Sequence, residues 1–336
     1  MKIDKLSVKN FKSFKNIDIE LDNFNVLIGA NSSGKTNFVS LFQFLKNLPK
    51  ETLEDAISLE GGEKYFFNFN LDSKQTQITL DLSEESRRYH YKNLIQLENA
   101  SLSQKANVQV KNLENNFDET FEEAYHIPKP GPNIFWGISI YDFSPQFMKE
   151  QTNTKSRTRL ERDGRNFPLV IKKIMEDDHK KQELLNLVSD FLPFVEDLQT
   201  QQISAHDLML VLKESYTKDF YVPAPFLSEG TINLISIIVA LFFDDSEIAI
   251  FEEPERFIHP NLLSKLVHLM KEDAALRKQI IITTHSPEVV KCTGLEHLFL
   301  VSRNKEGFST ITKPENDQRV NLFLSDELGI EDLFID

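Results

Sequence analysis

From its first residue the chain alternates as strands do. KLSVKNF, then IDIEL, then FNVLI read as strands, the last leading into a glycine. Over 35–48, KTNFVSLFQFLKNL instead sets Phe38, Leu41, Phe42 and Leu45 on one face at helical spacing. Two strand-like runs follow, EKYFFNFNL (63–71) and TQITLDL (76–82). From about 83 to 133 the chain turns polar and asparagine-rich and ends in IPKPGP (127–132), which predicts an inserted, partly irregular lobe. FWGISIYDF (135–143) reads as a strand, KSRTRLERDGRNF (155–167) alternates in charge, and 168–192 has a helical period. The block 227–291 is the most ordered. It predicts a helix over 231–243, a buried strand EIAIFEE (247–253), a helix over about 260–275 and a second buried strand QIIITTH (279–285). Short unbroken apolar runs separated by helices imply a parallel sheet.

Composition narrows the class. The 336 residues are 40% hydrophobic and 27% charged, with a net charge of −14. An acidic average argues against a surface coated in basic charge for nucleic acid, although a local patch survives it. A single cysteine, Cys292, excludes an internal disulfide and a cysteine-rich zinc site. The N-terminus lacks an apolar signal core, and the longest apolar run, LISIIVALFF (234–243), is too short to span a bilayer. A cytoplasmic protein is expected.

Candidate chemistry begins at NVLIGANSSGKTN (25–37). Gly29 to Thr36 fits G-x-x-x-x-G-K-[ST] in full, with a strand before it and a helix after it. Such a loop wraps backbone N–H groups around a phosphate, and the following helix adds its positive end. Lys35 would reach the β- and γ-phosphates, and the Thr36 hydroxyl would ligate Mg²⁺. The expected ligand is therefore a nucleoside triphosphate. EIAIFEEPERFIHP (247–260) ends a strand in two carboxylates that face opposite ways. Glu252 is placed to hold Mg²⁺ and Glu253 to polarise an attacking water, though a solvated acid pair reads the same in isolation. Ser228 in LSEGT caps the next helix and Gly230 keeps its backbone approachable, which alone is no more than a good N-cap. His285 closes a buried strand, and a lone histidine there is a weak signal.

Order and spacing together change the picture. The opening LSVKNFKSFKNIDIELDNFNVLIGANSSGKTN resembles that of the ABC-type ATPases of the RecF/SMC branch, the "AAA family" P-loop ATPases. So do LERDGRNFPLVI, LSEGTINLISIIVALFF, FEEPERFIHPNLL and ITTHSPEVV. The resemblance spans nearly the whole chain, most loosely at 83–133. It implies an α/β fold, an ABC-type P-loop ATPase head with a mixed β-sheet flanked by helices and an inserted helical or irregular lobe. Residues 1–82 would carry Walker A, 83–226 the inserted lobe with returning strands and helices, and 227–336 the signature, Walker B, D-loop and switch histidine.

Carried onto this chain, the resemblance implies a Walker A site of Gly29, Asn31, Ser33, Gly34, Lys35 and Thr36, flanked by Asn37. It makes Glu252 the Walker B acid where many relatives have Asp, Glu253 the catalytic base and His285 the γ-phosphate switch. Ser228 and Gly230 belong to the signature that meets the nucleotide of a second subunit, and Arg256 to Pro260 form the D-loop. Glu229 and Thr231 depart from the transporter signature, and no Q-loop glutamine is located. ATP and Mg²⁺ are the implied cofactors and an ATP-bridged homodimer the implied unit.

No long coiled coil is present, and the stretch after His285 is too short for a Toprim nuclease domain. The expected role is thus an ATPase gating a separately encoded effector, a nuclease or toxin, in a bacterial anti-phage defence or toxin-type system. The alternative is a RecF-like DNA-repair factor that clamps DNA through Lys155, Arg157, Arg159, Arg162 and Arg165. A transporter motor fits less well.

Overall fold

The computed structural model describes residues 1–113, 117–123 and 135–314. In chain order its first elements are β1 (Lys2–Phe11), β2 (Phe14–Glu20), β3 (Phe24–Ile28), α1 (Lys35–Asn47), α2 (Leu53–Leu59), α3 (Glu63–Phe66), β4 (Gln75–Glu84), β5 (Arg87–Glu98), β6 (Ser101–Asn112) and β7 (Phe117–Glu123). Next come β8 (Ile138–Tyr141), α4 (Pro145–Met148), β9 (Thr152–Asn153), α5 (Phe167–Met175), α6 (Asp178–Phe191), β10 (Val195–Gln202), β11 (Asp207–Glu214) and β12 (Tyr221–Pro223). The chain continues through α7 (Glu229–Phe242), β13 (Ile248–Glu252), α8 (Pro260–Leu276), β14 (Gln279–Thr284), α9 (Pro287–Thr293), β15 (Leu298–Arg303) and β16 (Ser309–Thr312). The described residues fall into two compact units. Met1–Ser139, Ser246–Ile250 and the chain from Lys271 onward form the first; Ile140–Asp245 and Phe251–Met270 form the second.

Two sheets organise the first unit. One has the order β2-β1-β4-β5-β6-β7, and the other has the order β16-β15-β3-β14-β13-β8, whose last two strands run on into the second unit. β3 pairs in parallel with β14 on one side and β15 on the other, while β15 and β16 form an antiparallel hairpin, so the sheet is mixed. FNVLI and QIIITT are buried at every position, as strands covered on both faces must be. The Gln279 amide, only 2% exposed, joins the sheets. It accepts from Ile3 N–H at 2.9 Å and donates to the Ile3 and Asp22 carbonyls at 2.8 Å each. α1 buries the apolar face its spacing predicts, with Phe44 4.8 Å from Phe66 and Phe66 5.3 Å from Phe11, ring centre to ring centre.

The sequence misleads at two places. Residues 83–113, expected to belong to an inserted, partly irregular lobe, contain the twelve-residue strands β5 and β6, paired without a break from Arg87↔Asn112 to Glu98↔Ser101. The alternation is real, with Tyr89, Tyr91, Asn93 and Ile95 facing inward, but a fully buried asparagine in the row disguises it. EKYFFNFNL is not a strand. Gly61 and Gly62 adopt φ values of 99° and 81°, and the chain then makes the single helical turn α3. IPKPGP lies outside the described residues.

The second unit has a small antiparallel sheet, β10-β11-β12, with β9 added along β11. α5 and α6 lie against it. α7 is buried at every position from Thr231 to Leu241. A helix that is apolar all round has to be enclosed in this way.

Candidate functional site

In the first unit, β3 ends at Ile28, the loop spans 29–34 and α1 starts at Lys35. Ser32 (φ 64°) and Gly34 (φ 125°) take left-handed backbone, which bends the loop into a concave cradle. Lys35, a residue only 7% exposed, donates from its ammonium to the Gly29 carbonyl at 2.6 Å and the Ala30 carbonyl at 3.1 Å. Neither loop glycine has room for a side chain. A Cβ at Gly29 would sit 2.3 Å from the Val301 carbonyl oxygen, and one at Gly34 would sit 2.4 Å from Ser309 Oγ. The buried Ser33 hydroxyl has no hydrogen-bond partner among the described residues. α1 has no side-chain N-cap and no acid in its first turn, so its own sequence leaves its positive end uncompensated. A buried hydroxyl without a partner, a lysine and a bare helix start suit one ligand chemistry, a phosphate anion.

The remaining predicted cradle residues are placed as follows. Asn31 and Thr36 are exposed. Asn37 turns toward the β1–β2 turn, where its amide donates to Ser13 Oγ at 2.7 Å. His285 follows Thr284, which pairs in parallel register with Ile28, so His285 and Gly29 leave neighbouring strands at their carboxyl ends. That edge is where parallel sheets bind ligands.

In the second unit, Glu252 ends β13 with its side chain 10% exposed and Arg162 Nη2 2.5 Å from its carboxylate. Burial pushes the Glu252 carboxyl above its usual value, while the adjacent Arg162 pulls it back. Arg162 also lies 3.9 Å from Asp142, the residue after β8. Asp142 in turn pairs with Arg256, which lies 3.8 Å from the Glu253 carboxylate. Glu253 (φ 46°) and Phe257 (φ 66°) both take left-handed backbone. Such conformations cost non-glycine residues about 1–3 kcal/mol each and gather at functional sites. The buried Asn233 amide holds the turn by donating to the Pro254 and Arg256 carbonyls at 3.3 and 2.7 Å.

Ser228 Oγ accepts from Thr231 N–H at 3.0 Å, the N-cap its sequence position predicts. Gly230 brings the first turn of α7 directly against the 253–257 turn, because a Cβ there would lie 2.4 Å from the Phe257 carbonyl oxygen. Sequence reasoning did not find Asp142, Asn233 or the role of Arg162 beside Glu252. Asp142 had one signal, its place at the end of the strand beside β13.

The basic segment 155–165 is held in place by one asparagine. Asn166, fully buried, accepts from Glu161 N–H at 2.9 Å and donates to the Arg157 and Arg159 carbonyls at 2.7 Å each. Arg159 pairs with Asp244 at 3.3 Å, Arg162 with Glu252, and Arg165 with Asp163 at 2.8 Å. Only Lys155 and Arg157 of the five remain as exposed cations for which no carboxylate partner is found among the described residues.

A P-loop between a buried strand and a bare helix start, within a mixed sheet flanked by helices, defines an ABC-type P-loop ATPase head. Residues 24–291 match the family described as "AAA domain, putative AbiEii toxin, Type IV TA system", and the chain belongs to that family. It is similar to Endonuclease GajA of Bacillus cereus (strain VD045), 23% identical over 336 residues, which cover 86% of this chain and 56% of GajA. It is also similar to the DNA replication and repair protein RecF of Lactobacillus acidophilus, 32% identical over 83 residues, covering 24% of this chain and 22% of RecF. The chain thus spans about half the length of GajA and less of RecF. Among solved structures, the SMC head bound to the C-terminal winged-helix domain of ScpA superposes with a TM-score of 0.57 at 14% identity, over 93% of this chain and 98% of the head. A second SMC head, with an extended coiled coil and derived from Pyrococcus furiosus, gives 0.53 at 12% identity, over 97% and 99% of the two chains. Among the described residues, no helix is long and apolar enough to cross a membrane.

Proposed function

We propose that this chain is a Mg²⁺-dependent ATP hydrolase of the bacterial cytoplasm whose ATP-sandwiched homodimer gates a separately encoded nuclease or toxin in an anti-phage or toxin-type system. The observation that carries the reading is the cradle, with its orphaned Ser33 hydroxyl, its buried Lys35 and two glycines that admit no side chain. Lys35, the N–H groups of Gly29, Asn31 and Gly34 and the Ser33 hydroxyl bind the β- and γ-phosphates, the Ser33 N–H being held by the Ala30 carbonyl at 3.2 Å. Thr36 and Glu252 are hard oxygen donors of the kind Mg²⁺ takes, and the ion, when bound, neutralises developing charge on the phosphates. Glu253 orients the attacking water and accepts its proton, and His285 reads the γ-phosphate. Ser228 and Gly230 present the N-terminus of α7 to the nucleotide held by a second chain, so dimerisation follows nucleotide state. The family description and the likeness to GajA support the defence setting.

Phosphate release from Mg-ATP tests the reading. Wild type should release phosphate, Lys35→Ala should neither bind nor release, and Glu253→Gln should bind without turnover. Equal release by wild type and Lys35→Ala would sink it. For the effector, co-expression with a neighbouring gene should produce toxicity or nuclease activity that Lys35→Ala abolishes.

The match to RecF favours a second reading, an ATP-dependent DNA clamp. It predicts DNA binding by fluorescence anisotropy that rises with ATP and falls in Lys155→Ala/Arg157→Ala. The ion pairs of Arg159, Arg162 and Arg165 weigh against it.

A further inference from the structure

We propose that Ser309, at the start of β16, is a positioning residue for the phosphate cradle, acting through a side-chain relay that fixes the direction of a P-loop peptide group. This rests on the reading of the loop as a phosphate site. Ser309 is 1% exposed and lies 276 residues from Ser33 in sequence, yet its hydroxyl is 2.5 Å from the Ser33 carbonyl oxygen. It is also 2.7 Å from Ser13 Oγ, which is itself 2.7 Å from the Asn37 amide nitrogen.

Counting protons fixes the direction of the chain. A carbonyl only accepts, so the single Ser309 proton goes to Ser33. The contact between Ser13 and Ser309 then requires Ser13 O–H to donate, and Asn37 N–H donates to Ser13. The relay therefore runs one way, from Asn37 through Ser13 and Ser309 to the Ser33 carbonyl. A backbone hydrogen bond from Ser309 N–H to the Ser13 carbonyl, 2.9 Å, ties the hairpin to the β1–β2 turn. Arg303, at the end of β15, adds a second hold by donating from Nε to the Ser32 carbonyl at 2.9 Å.

The consequence follows from the planar trans peptide. The carbonyl of Ser33 and the N–H of Gly34 belong to one unit and point opposite ways. Drawing the carbonyl out toward Ser309 turns the Gly34 N–H away from it, into the concave side of the loop. A flipped unit would instead aim a carbonyl oxygen at the phosphate and repel it. The packing is tight enough to matter, because a Cβ at Gly34 would lie 2.4 Å from Ser309 Oγ and 3.3 Å from Ser13 Oγ. Ser309 thus holds one of the cradle's donors in place before any anion arrives, which is where preorganised binding gains its affinity.

The test uses the full chain as wild type, Ser309→Ala, Ser13→Ala, the double variant and Lys35→Ala. Ser302→Ala, on the same hairpin but bonded to Thr310 at 3.1 Å, is the control. Binding of a fluorescent Mg-ATP analogue should weaken about tenfold in Ser309→Ala, the size expected for loss of one buried hydrogen bond. KM should rise with kcat within about twofold, since binding rather than chemistry is touched. Amide exchange across 29–34 in nucleotide-free protein should quicken in Ser309→Ala and not in Ser302→Ala. Ser13→Ala should weaken binding in the same direction, and the double variant should be no weaker than Ser309→Ala, because the two residues act as one unit.

Wild-type affinity and wild-type exchange in Ser309→Ala would overturn the relay, as would independent, additive losses in the double variant or an equal loss in Ser302→Ala. If wild type itself binds no Mg-ATP, the cradle reading fails and the relay with it. If wild type binds, Lys35→Ala does not and Ser309→Ala matches wild type, only the relay falls.

Discussion

Gly230→Ala sets two effects of known size against each other. Alanine favours a helix over glycine by about 0.8–1.0 kcal/mol, so propensity alone predicts a more stable protein. The new Cβ, however, would meet the Phe257 carbonyl oxygen at 2.4 Å, against roughly 3.3–3.6 Å for a comfortable C–H···O approach. About 1 Å of movement is needed. The yielding partner is the 253–257 turn, already strained by the left-handed Glu253 and Phe257. Moving it pulls the Pro254 and Arg256 carbonyls from the buried Asn233 amide, at about 1–3 kcal/mol for a buried group left unsatisfied. The clash wins, and the variant should lose about 1–2 kcal/mol net, read as a melting temperature lowered by a few degrees. Glu253 rides on the same turn, so kcat should fall at least about tenfold. The loop 29–34 contains neither residue, and the Kd for a Mg-ATP analogue should stay within about twofold. A melting temperature that rises with kcat unchanged would refute the reasoning, because the turn would then move freely and the close approach of α7 would have no functional weight.

Three further outcomes are expected. Gln279→Leu keeps the shape but strands Ile3 N–H and the Ile3 and Asp22 carbonyls, so urea unfolding should show a loss of about 2–4 kcal/mol. In Arg162→Ala the burial that raises the Glu252 carboxyl is no longer offset by the guanidinium. Because Glu252 must be deprotonated to ligate metal, the acidic limb of the Mg-ATPase pH profile should move to higher pH, and an unmoved limb would count against Glu252 as a ligand. Burial pushes the Asp197 carboxyl up, yet hydrogen bonds from Tyr221 and Gln199 and the charge of Lys181 together hold it below its usual value. That depressed value stabilises the fold above about pH 4 and is lost as pH falls through it, so Tyr221→Phe should cost about 1 kcal/mol near neutrality and lose less on acidification than wild type, measured by urea midpoints from pH 7 to pH 3.

What the sequence made legible was whatever obeys a short period or a local motif. FNVLI read as a strand and QIIITT as a buried one, as both are, and GANSSGKT carries its own geometry. α7 and its Ser228 cap are written within a few residues of each other. β5 stayed hidden because Asn93 occupies an inward position where a period search expects an apolar residue. The arginines of 155–165 looked alike in sequence, and their partners, 90 residues away for Arg162 and 85 for Arg159, depend on tertiary contacts. The same holds for His285, whose place beside Gly29 comes from the Thr284↔Ile28 register, and for Ser309, which no local pattern connects to the P-loop.

The central claim is that ATP joins two copies of this chain. Glu253→Gln, which should trap the nucleotide, is the protein to use, with its mass measured by light scattering with and without Mg-ATP. The account predicts a shift from the 38.9 kDa chain to twice that mass, abolished when Ser228→Arg is added. A protein that binds Mg-ATP and stays at 38.9 kDa, or a dimer indifferent to both ATP and Ser228→Arg, would contradict it.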